Sequence, residues 1–278
     1  MLIRSPEIAE HLFDQATRVS AGDSQWRGQT SDDYWAFIGP FGGVTSATML
    51  RAILEHSQRE GDPLSLTVHF CAPIARGAFD LDVRLIKANR STQHWSVELT
   101  QQGGDVAAFA TAALAARRPS WSHQPNQRPD ATPFEQTRRY PKSHLGMSWV
   151  HQYDFRFVEG QPALDGAPQT TLASPFSKLW IADTAPRQID VLSLMSMSDT
   201  LFGRIFHVRG ELVPVGTVSL TTYFHAASED LRSEEARQVL AIANASSFHK
   251  NYADQTGELW SPGGRLLATT HQIAYFKA

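Results

Sequence analysis

The chain has 278 residues, of which 42% are hydrophobic and 19% charged, and its formal net charge is −3. This composition excludes a disordered or collagen-like chain and predicts a folded protein with one large domain or two of ordinary size. Because basic residues are not in excess, nucleic acid and anionic membrane surfaces are not expected as partners, and a small-molecule partner is favoured.

The chain shows no targeting or membrane-spanning pattern. Its first residues carry Arg4, Glu7 and Glu10 among apolar side chains, so no signal-peptide hydrophobic region is predicted there. The longest apolar run, 106–116, is about half the length that a spanning helix needs. The single cysteine, Cys71, cannot form an intramolecular disulfide, and we expect a reducing, cytoplasmic location.

Two similar series of elements are predicted. The first begins with a helix over 42–60, and the second with a helix over 190–208 that is apolar on nearly every face and is therefore expected to be enclosed. A long helix followed by an antiparallel meander, made twice, predicts an α+β fold in which a curved sheet wraps a helix. The predicted strands cover 64–71, 79–86, 94–101 and 106–114 in the first series, and 217–225, 237–246, 248–255 and 265–276 in the second.

A proline-rich stretch separates the two series. Five of the fifteen prolines fall within 119–141, where apolar periodicity disappears, and this pattern indicates an inter-domain linker. The sequence therefore predicts an N-terminal domain over 1–118, a linker over 119–148 and a C-terminal domain over 149–278.

An internal repeat relates the two series. SLTVHFCA at 65–72 matches SLTTYFHA at 219–226 in five of eight positions, with an offset of 154 residues. ELTQQGGDVAA at 98–108 matches ELWSPGGRLLA at 258–268 in five of eleven positions, with an offset of 160 residues. Two matches in the same order predict a duplicated domain.

Asp199 is the first candidate for catalysis. It falls within the predicted helix 190–208, among Met, Leu, Ile and Phe residues, where an ionised carboxylate is costly to bury unless it is hydrogen-bonded. It therefore either faces a polar cleft or occupies the single wet edge of the helix, and the residues alone leave both interpretations open.

Gln272 and Thr217 become candidates through the repeat. Strand alternation places Gln272 on a face of small and apolar residues, where an amide needs partners. In the first series, the counterpart of Gln272 is Ala112 and the counterpart of Thr217 is Pro63. No acid stands near the position that corresponds to Asp199. A duplicated fold that keeps one working site and loses the other would show this pattern. Independent drift at the three positions would produce it as well.

A carboxylate, a hydroxyl and an amide without a serine or cysteine nucleophile suit the activation of water. Asp199 would take the proton of the water, while Thr217 and Gln272 fix its lone pairs. Gly42 and Gly43, at the start of the helix 42–60, would offer N–H groups to a developing oxyanion. Glycines in such a position also serve simply to let the backbone pass close to a sheet.

Several other enzyme classes lose their usual support. The sequence has no G-x-S-x-G, G-x-x-x-x-G-K-[ST], G-x-G-x-x-G or H-E-x-x-H motif. No two histidines stand at a ligand-like spacing beside a carboxylate on one predicted face, so we expect neither a metal nor another cofactor.

Four segments resemble the double-hotdog acyl-CoA thioesterases related to bacterial thioesterase II. They are GPFGGVTSATMLRA, LTVHFCAP, GTVSLTTYFHA and GELWSPGGRLLATTHQIA, and the similarity extends from about residue 30 to the end. The resemblance implies two tandem hotdog folds joined into one continuous sheet, and hydrolysis of acyl-CoA to a free fatty acid and CoA without a metal. It also implies that Asp199, Thr217 and Gln272 hold the attacking water, and it allows a homo-oligomer, a dimer or larger.

The chain departs from the family pattern at two places. Ser219 and Leu220 stand where family members often carry an acidic residue and a histidine after the strand-opening threonine. An aromatic-rich N-terminal block that does not match closely would either wall an acyl tunnel or pack as ordinary core; it contains Trp26, Tyr34, Trp35, Phe37 and Phe41.

Two alternative functions remain open. Hotdog folds also host hydratases and dehydratases, but Arg204 stands five residues after Asp199, where such a site has a histidine. His69-Phe70 resembles the His-Phe of acyl-carrier dehydratases, but it lies within a predicted strand instead of leading into a helix. A non-catalytic acyl-CoA-binding protein is the other alternative, because Thr217 has the least support of the three site residues.

Overall fold

The computed structural model describes residues 10–22, 25–142, 145–162 and 174–277. Arg4 and Glu7, which argued against a signal peptide, lie outside these ranges. The helices are α1 (Leu12–Ala16), α2 (Gly42–Leu54), α3 (Val191–Met197), α4 (Arg204–Arg209) and α5 (Ser228–Glu234). The strands are β1 (Val19–Ala21), β2 (Trp26–Gln29), β3 (Asp62–Phe70), β4 (Ala78–Ala88), β5 (Thr92–Thr100), β6 (Val106–Ala115), β7 (Tyr153–Glu159), β8 (Ser177–Asp183), β9 (Val215–Phe224), β10 (Gln238–Asn244), β11 (Phe248–His249), β12 (Tyr252–Trp260) and β13 (Leu266–Phe276).

All thirteen described strands belong to one antiparallel sheet. Its order is β1-β2-β4-β5-β6-β3-β9-β13-β12-β10-β8-β7, with β11 paired to β12. Strands of the first half fill one side of the order and strands of the second half fill the other. This confirms the predicted α+β fold with one continuous sheet. The short strands β1, β2, β7 and β8, toward the two edges of the sheet, were not predicted.

The two halves meet at β3 and β9, the two strands that carry the first repeat. Thr67 pairs with Thr221, and their hydroxyl oxygens lie 3.0 Å apart. These two threonines are equivalent under the offset of 154 residues, so their pair lies on the local two-fold axis that relates the halves. Each half therefore uses the same strand to bind the other.

Helix α2 is enclosed between the sheet and α3. It ends at Leu54, six residues before the predicted end, and its residues from Gly43 to Leu50 are buried. A Cβ atom on Gly43 would lie 2.4 Å from the carbonyl oxygen of Ser196, so only glycine permits this approach between α2 and α3.

The single helix predicted over 190–208 is wrong. Helix α3 ends at Met197, and α4 begins only at Arg204. The hydroxyl groups of Ser198 and Thr200 donate to backbone carbonyls of the preceding turn, and Phe202 adopts a left-handed backbone with φ of 52°. Asp199 consequently lies in the turn after α3 and not in the middle of a helix.

The described part of the segment between β6 and β7 has two short 3₁₀ helices, Phe134–Gln136 and Ser148–Gln152, and no strand. It packs on the second half: the side chain of Gln124 donates to the carbonyl of Gly264 at 2.9 Å and accepts from the N–H of Leu266 at 2.8 Å. The domain boundaries at 118 and 148 stay a prediction. In the ranges that the structure describes, no helix has the length and apolar character to cross a bilayer.

Candidate active site

The three predicted side chains come together beside the C-terminal end of α3. The side-chain Nε2 of Gln272, on β13, donates to Oδ1 of Asp199 at 2.8 Å and to Oγ1 of Thr217, on β9, at 2.5 Å. The amide therefore bridges an acid from the turn after α3 and a hydroxyl from the adjacent strand. Thr217 and Asp199 are partly accessible, whereas only 8% of Gln272 is exposed.

Thr217 reaches this cluster because of a β-bulge. Ser219 pairs with Ile273, but Thr217 pairs with Ala274, so Val218 is an extra residue on β9. If every residue of β9 paired regularly, Thr217 would share the outer face of the sheet with Ser219, because residues two apart in a strand lie on the same face. The bulge turns Thr217 to the inner face, which carries the bridging amide.

Gln255, on β12, is a fourth member of the cluster that the sequence analysis missed. It pairs directly with Gln272 across the sheet, and its Nε2 donates to Oε1 of Gln272 at 3.0 Å. Its exposed fraction is 5%. Alternation along β12 places it on the buried face with Ala253, Gly257 and Leu259. The argument that singled out Gln272, a long amide among small and apolar neighbours, would have found Gln255 as well.

The environment of Asp199 perturbs its acidity. Burial raises the pKa of Asp199 to about 7, because desolvation disfavours the charged carboxylate. Hydrogen bonds from the amide of Gln272 and from the backbone N–H of Gly43 act in the opposite direction and favour the charged form. An acid whose pKa lies near neutrality can both accept and return a proton, which suits general acid–base catalysis.

Gly42 and Gly43 lie against the same carboxylate, in the first turn of α2. A Cβ atom on Gly42 would lie 2.7 Å from Oδ2 of Asp199 and 3.1 Å from the ring of Phe70. No side chain fits there without displacing the carboxylate. The N-terminal end of α2 also presents N–H groups and the positive end of the helix dipole to negative charge. Their use as oxyanion donors stays a prediction.

Arg204, which stands where a hydratase site has a histidine, and His69 both lie outside this cluster. Arg204 is buried, and its Nη1 donates to Oγ of Ser177 at 2.7 Å and to the carbonyl of Pro175 at 3.1 Å. His69 lies within β3, where its side chain is exposed and its ring stacks near Phe109. No cluster of three or more His, Cys, Asp or Glu side chains that could hold a metal ion occurs in the described ranges.

Two family models match the chain. The model of the acyl-CoA thioesterase N-terminal domain covers residues 31–115, and the model of the acyl-CoA thioesterase C-terminal domain covers residues 119–276. The chain belongs to the acyl-CoA thioesterase family. It is therefore a thioester hydrolase, with one domain of the family on each side of the seam between β3 and β9.

Solved structures of other proteins have an architecture similar to that of this thioesterase. A conserved protein of unknown function with a hotdog fold from Alicyclobacillus acidocaldarius is 37% identical, with a TM-score of 0.90 over 97% of this chain and 99% of the other. The acyl-CoA thioesterase II TesB2 of Mycobacterium marinum is 18% identical, with a TM-score of 0.72 over 95% of this chain and 98% of the other. The dehydratase domain of RzxB from Pseudomonas fluorescens shares the fold at 12% identity and a TM-score of 0.53, with coverage of 97% and 100%. Among curated proteins no sequence matches.

Proposed function

We propose that this thioesterase hydrolyses acyl-CoA to a carboxylic acid and CoA, and that Asp199, Thr217 and Gln272 activate the attacking water. The observation that carries the proposal is the bridge that the Gln272 amide makes between the carboxylate and the hydroxyl. It joins three different functional groups, from three separate elements, beside a helix N-terminus in a fold of the acyl-CoA thioesterase family.

In this mechanism Asp199 is the general base. Its carboxylate removes one proton from water as the water oxygen attacks the thioester carbonyl carbon. The tetrahedral intermediate then collapses with cleavage of the C–S bond, and Asp199 returns the proton to the departing CoA thiolate. The hydroxyl group of the water ends in the carboxylic acid and its proton ends on the thiol of CoA. Asp199 is then ionised again, as it was at the start.

Thr217 and Gln272 position the water in this proposal. The oxygen of Thr217 accepts a hydrogen bond from Gln272, so its own proton is available to donate to a lone pair of the water. The amide of Gln272 holds both Thr217 and Asp199, which keeps the base and the positioning hydroxyl on one side of the reacting carbonyl.

The negative charge that develops on the carbonyl oxygen needs donors, and we assign this role to the backbone N–H groups of Gly42 and Gly43. The N–H of Gly43 favours the charged form of Asp199 in the resting enzyme. When Asp199 takes the proton of the water, its carboxyl group becomes a weaker acceptor, and the same N–H is released to the oxyanion.

The wider assignments belong to the same proposal. Acyl-CoA is the substrate and no cofactor takes part. The enzyme acts in fatty acid metabolism in the cytoplasm. Residues 1–118 form a first hotdog domain with a degenerate site, residues 119–148 link the domains, and residues 149–278 form the domain that carries the catalytic residues.

The test is release of CoA from a panel of acyl-CoA thioesters, followed with a thiol-reactive chromogen. We expect Asp199→Asn and Gln272→Ala each to lower kcat by at least about 100-fold, the range that general base catalysis supplies. Asp105→Asn, which removes an exposed acid between β5 and β6, is the matched control and should keep wild-type kcat.

The alternatives give different results in the same assay. Undiminished CoA release by both Asp199→Asn and Gln272→Ala would remove the site assignment. Hydration of an enoyl-CoA without release of CoA would establish a hydratase instead. Binding of acyl-CoA with neither reaction would establish a carrier.

A further inference from the structure

We propose that Gln255 is a positioning residue that holds the amide of Gln272 in the one orientation that serves an ionised Asp199. This inference rests on the proposed function, because it concerns how the same base is kept ready. The contact that supports it is the hydrogen bond from Nε2 of Gln255 to Oε1 of Gln272, at 3.0 Å.

The orientation of the Gln272 amide decides what Asp199 meets. As it stands, the amide donates two N–H bonds, to Asp199 and to Thr217. A rotation of the amide by 180° would instead place Oε1 opposite the carboxylate. That arrangement is acceptable when Asp199 is protonated, since a carboxylic acid can donate, but it sets oxygen against oxygen once Asp199 ionises.

Gln255 resolves this choice because it donates to the oxygen of the amide. With the amide of Gln255 in the orientation that the structure shows, a rotated Gln272 would bring the two Nε2 groups together, and two donors would meet without an acceptor. A buried donor without a partner is costly, because it has lost its hydrogen bond to water and gained none in the protein. The hydrogen bond from Gln255 therefore favours the orientation in which Gln272 stabilises the charged base.

The first half of the chain shows what this position looks like without a site. Under the offset of 160 residues, Gln255 corresponds to Trp95 and Gln272 corresponds to Ala112. Trp95 pairs directly with Ala112 across β5 and β6, as Gln255 does with Gln272. A large buried ring beside a small side chain fills the space there, and only 1% of Trp95 is exposed.

An apolar pair thus packs at this place in the fold, so the fold does not require an amide pair there. Burying two amides costs desolvation that the apolar pair avoids. The amide pair occurs in the half that also carries Asp199 and Thr217. This association points to a role for Gln255 in the site, through its contact with Gln272, and not in folding.

The test uses Gln255→Glu, which keeps the size of the side chain and replaces the N–H donor by an oxygen. When the introduced carboxyl group is ionised, it accepts from Gln272 and selects the rotated amide, whereas its protonated form donates and restores the original orientation. We expect kcat to fall by about tenfold, the effect of one misdirected hydrogen bond, with KM little changed. The loss should be larger at high pH than at low pH, which a merely structural defect would not produce.

Two further variants complete the test. Gln255→Met has similar length and no donor. We expect the midpoint of its pH profile of kcat/KM to move upward, because Gln272 is no longer held in the orientation that stabilises the charged Asp199. Its activity should not recover at low pH, since methionine has no group that gains a proton. Gln93→Glu is the matched control: Gln93 is as buried as Gln255 but lies in the first half, where it accepts from the N–H of Glu60 and from the indole of Trp95. It should lower the melting temperature without changing the pH profile of kcat.

The outcomes separate the two proposals. If the wild-type enzyme releases no CoA, or if Asp199→Asn and Gln272→Ala both keep full activity, the proposed function fails. If Asp199→Asn is inactive while both Gln255→Glu and Gln255→Met keep the wild-type kcat and pH profile, the positioning role of Gln255 is overturned and the proposed function stands. If Gln255→Glu does not fold, Gln255→Met decides alone.

Discussion

Thr217 in β9 and Pro63 in β3 occupy equivalent places, each directly before an extra residue that shifts the strand register. The extra residue is Val218 in β9 and Leu64 in β3. Both halves therefore contain the bulge, but only the second half places a hydroxyl group at the residue that the bulge turns inward. The bulge belongs to the duplicated fold, and in the second half it accommodates Val218 while Thr217 stays on the inner face.

Deletion of Val218 should leave Thr217 at the site. The deletion removes the bulge, but Thr217 then follows Ser219 directly and still lies on the inner face, opposite Ala274. We expect kcat/KM for acyl-CoA to stay well above that of Thr217→Val, which keeps the shape of the side chain and removes the hydroxyl.

Deletion of Leu64 is the control for this prediction. It removes the equivalent bulge from the first half, where Pro63 carries no hydroxyl, and should leave kcat close to the wild-type value. Circular dichroism would establish that both deletions fold. A folded Val218 deletion that is as inactive as Thr217→Val would show that the inner-face position of Thr217 opposite Ala274 is not enough for activity.

Activity should depend on pH through Asp199. Because burial raises its pKa to about 7, the carboxylate is half protonated near neutrality and cannot accept a proton from water in those molecules. We expect kcat/KM to rise with pH and to level off above the pKa of the base. The measurement is a pH–rate profile of CoA release, and a profile that is flat between pH 5 and 9 would contradict a base with this pKa.

Stability should depend on pH in the opposite sense. The pKa of Asp199 is higher in the folded state than its ordinary value of 3.8, so the folded state holds a proton that the unfolded state has lost. The free energy of unfolding therefore falls as pH rises from about 4 to about 7, and stays low above that range. Asp199→Asn removes this penalty and should raise the melting temperature at pH 8 but not near pH 4.

Asp183→Asn provides a matched control for that measurement. Asp183 ends β8, and burial also raises its pKa to about 7. It does not belong to the group formed by Asp199, Thr217 and Gln272. We expect the same gain in melting temperature at pH 8 with no loss of kcat. An Asp199→Asn enzyme that is less stable than the wild type at pH 8 would contradict the raised pKa.

The candidate group of Asp199, Thr217 and Gln272 could be identified from the sequence because duplication supplies an internal reference. Comparison of Gln272 with Ala112 and of Thr217 with Pro63 showed polar side chains where the other half has none. At the position of Gln255, the other half has Trp95. Because the two side chains differ in size as well as in polarity, this comparison does not single out Gln255 as a site residue. Strand alternation would have been the better indicator.

Other features of the fold could not be predicted from the sequence because they do not depend on the periodic spacing of apolar residues. The turn between α3 and α4 forms where hydroxyl groups compete for helical carbonyls and Phe202 takes a left-handed backbone, although the apolar pattern continues through it. The edge strands β1 and β2 are short and partly polar, and pairing with β4 determines their conformation.

The two glycines at the start of α2 should fail in different ways when they are replaced by alanine. In Gly42→Ala, the new Cβ meets Oδ2 of Asp199 at 2.7 Å, and the side chain of Asp199 can rotate away. We expect a large loss of kcat with little change in melting temperature. In Gly43→Ala, the new Cβ meets the backbone carbonyl of Ser196 at 2.4 Å, which cannot move without separating α2 from α3. We expect that variant to lose about 1–3 kcal/mol of stability, as overpacking of a core does.

Gly216→Ala is the control for both glycine variants, because a Cβ there meets no atom within 4 Å and the residue lies beside Thr217 on β9. It should keep both the activity and the melting temperature of the wild type. Thermal unfolding and CoA release measured on the three variants would separate the effects. If Gly42→Ala retained full kcat, the carboxylate of Asp199 would not need the space that the glycine leaves, and its placement against the first turn of α2 would have no catalytic consequence.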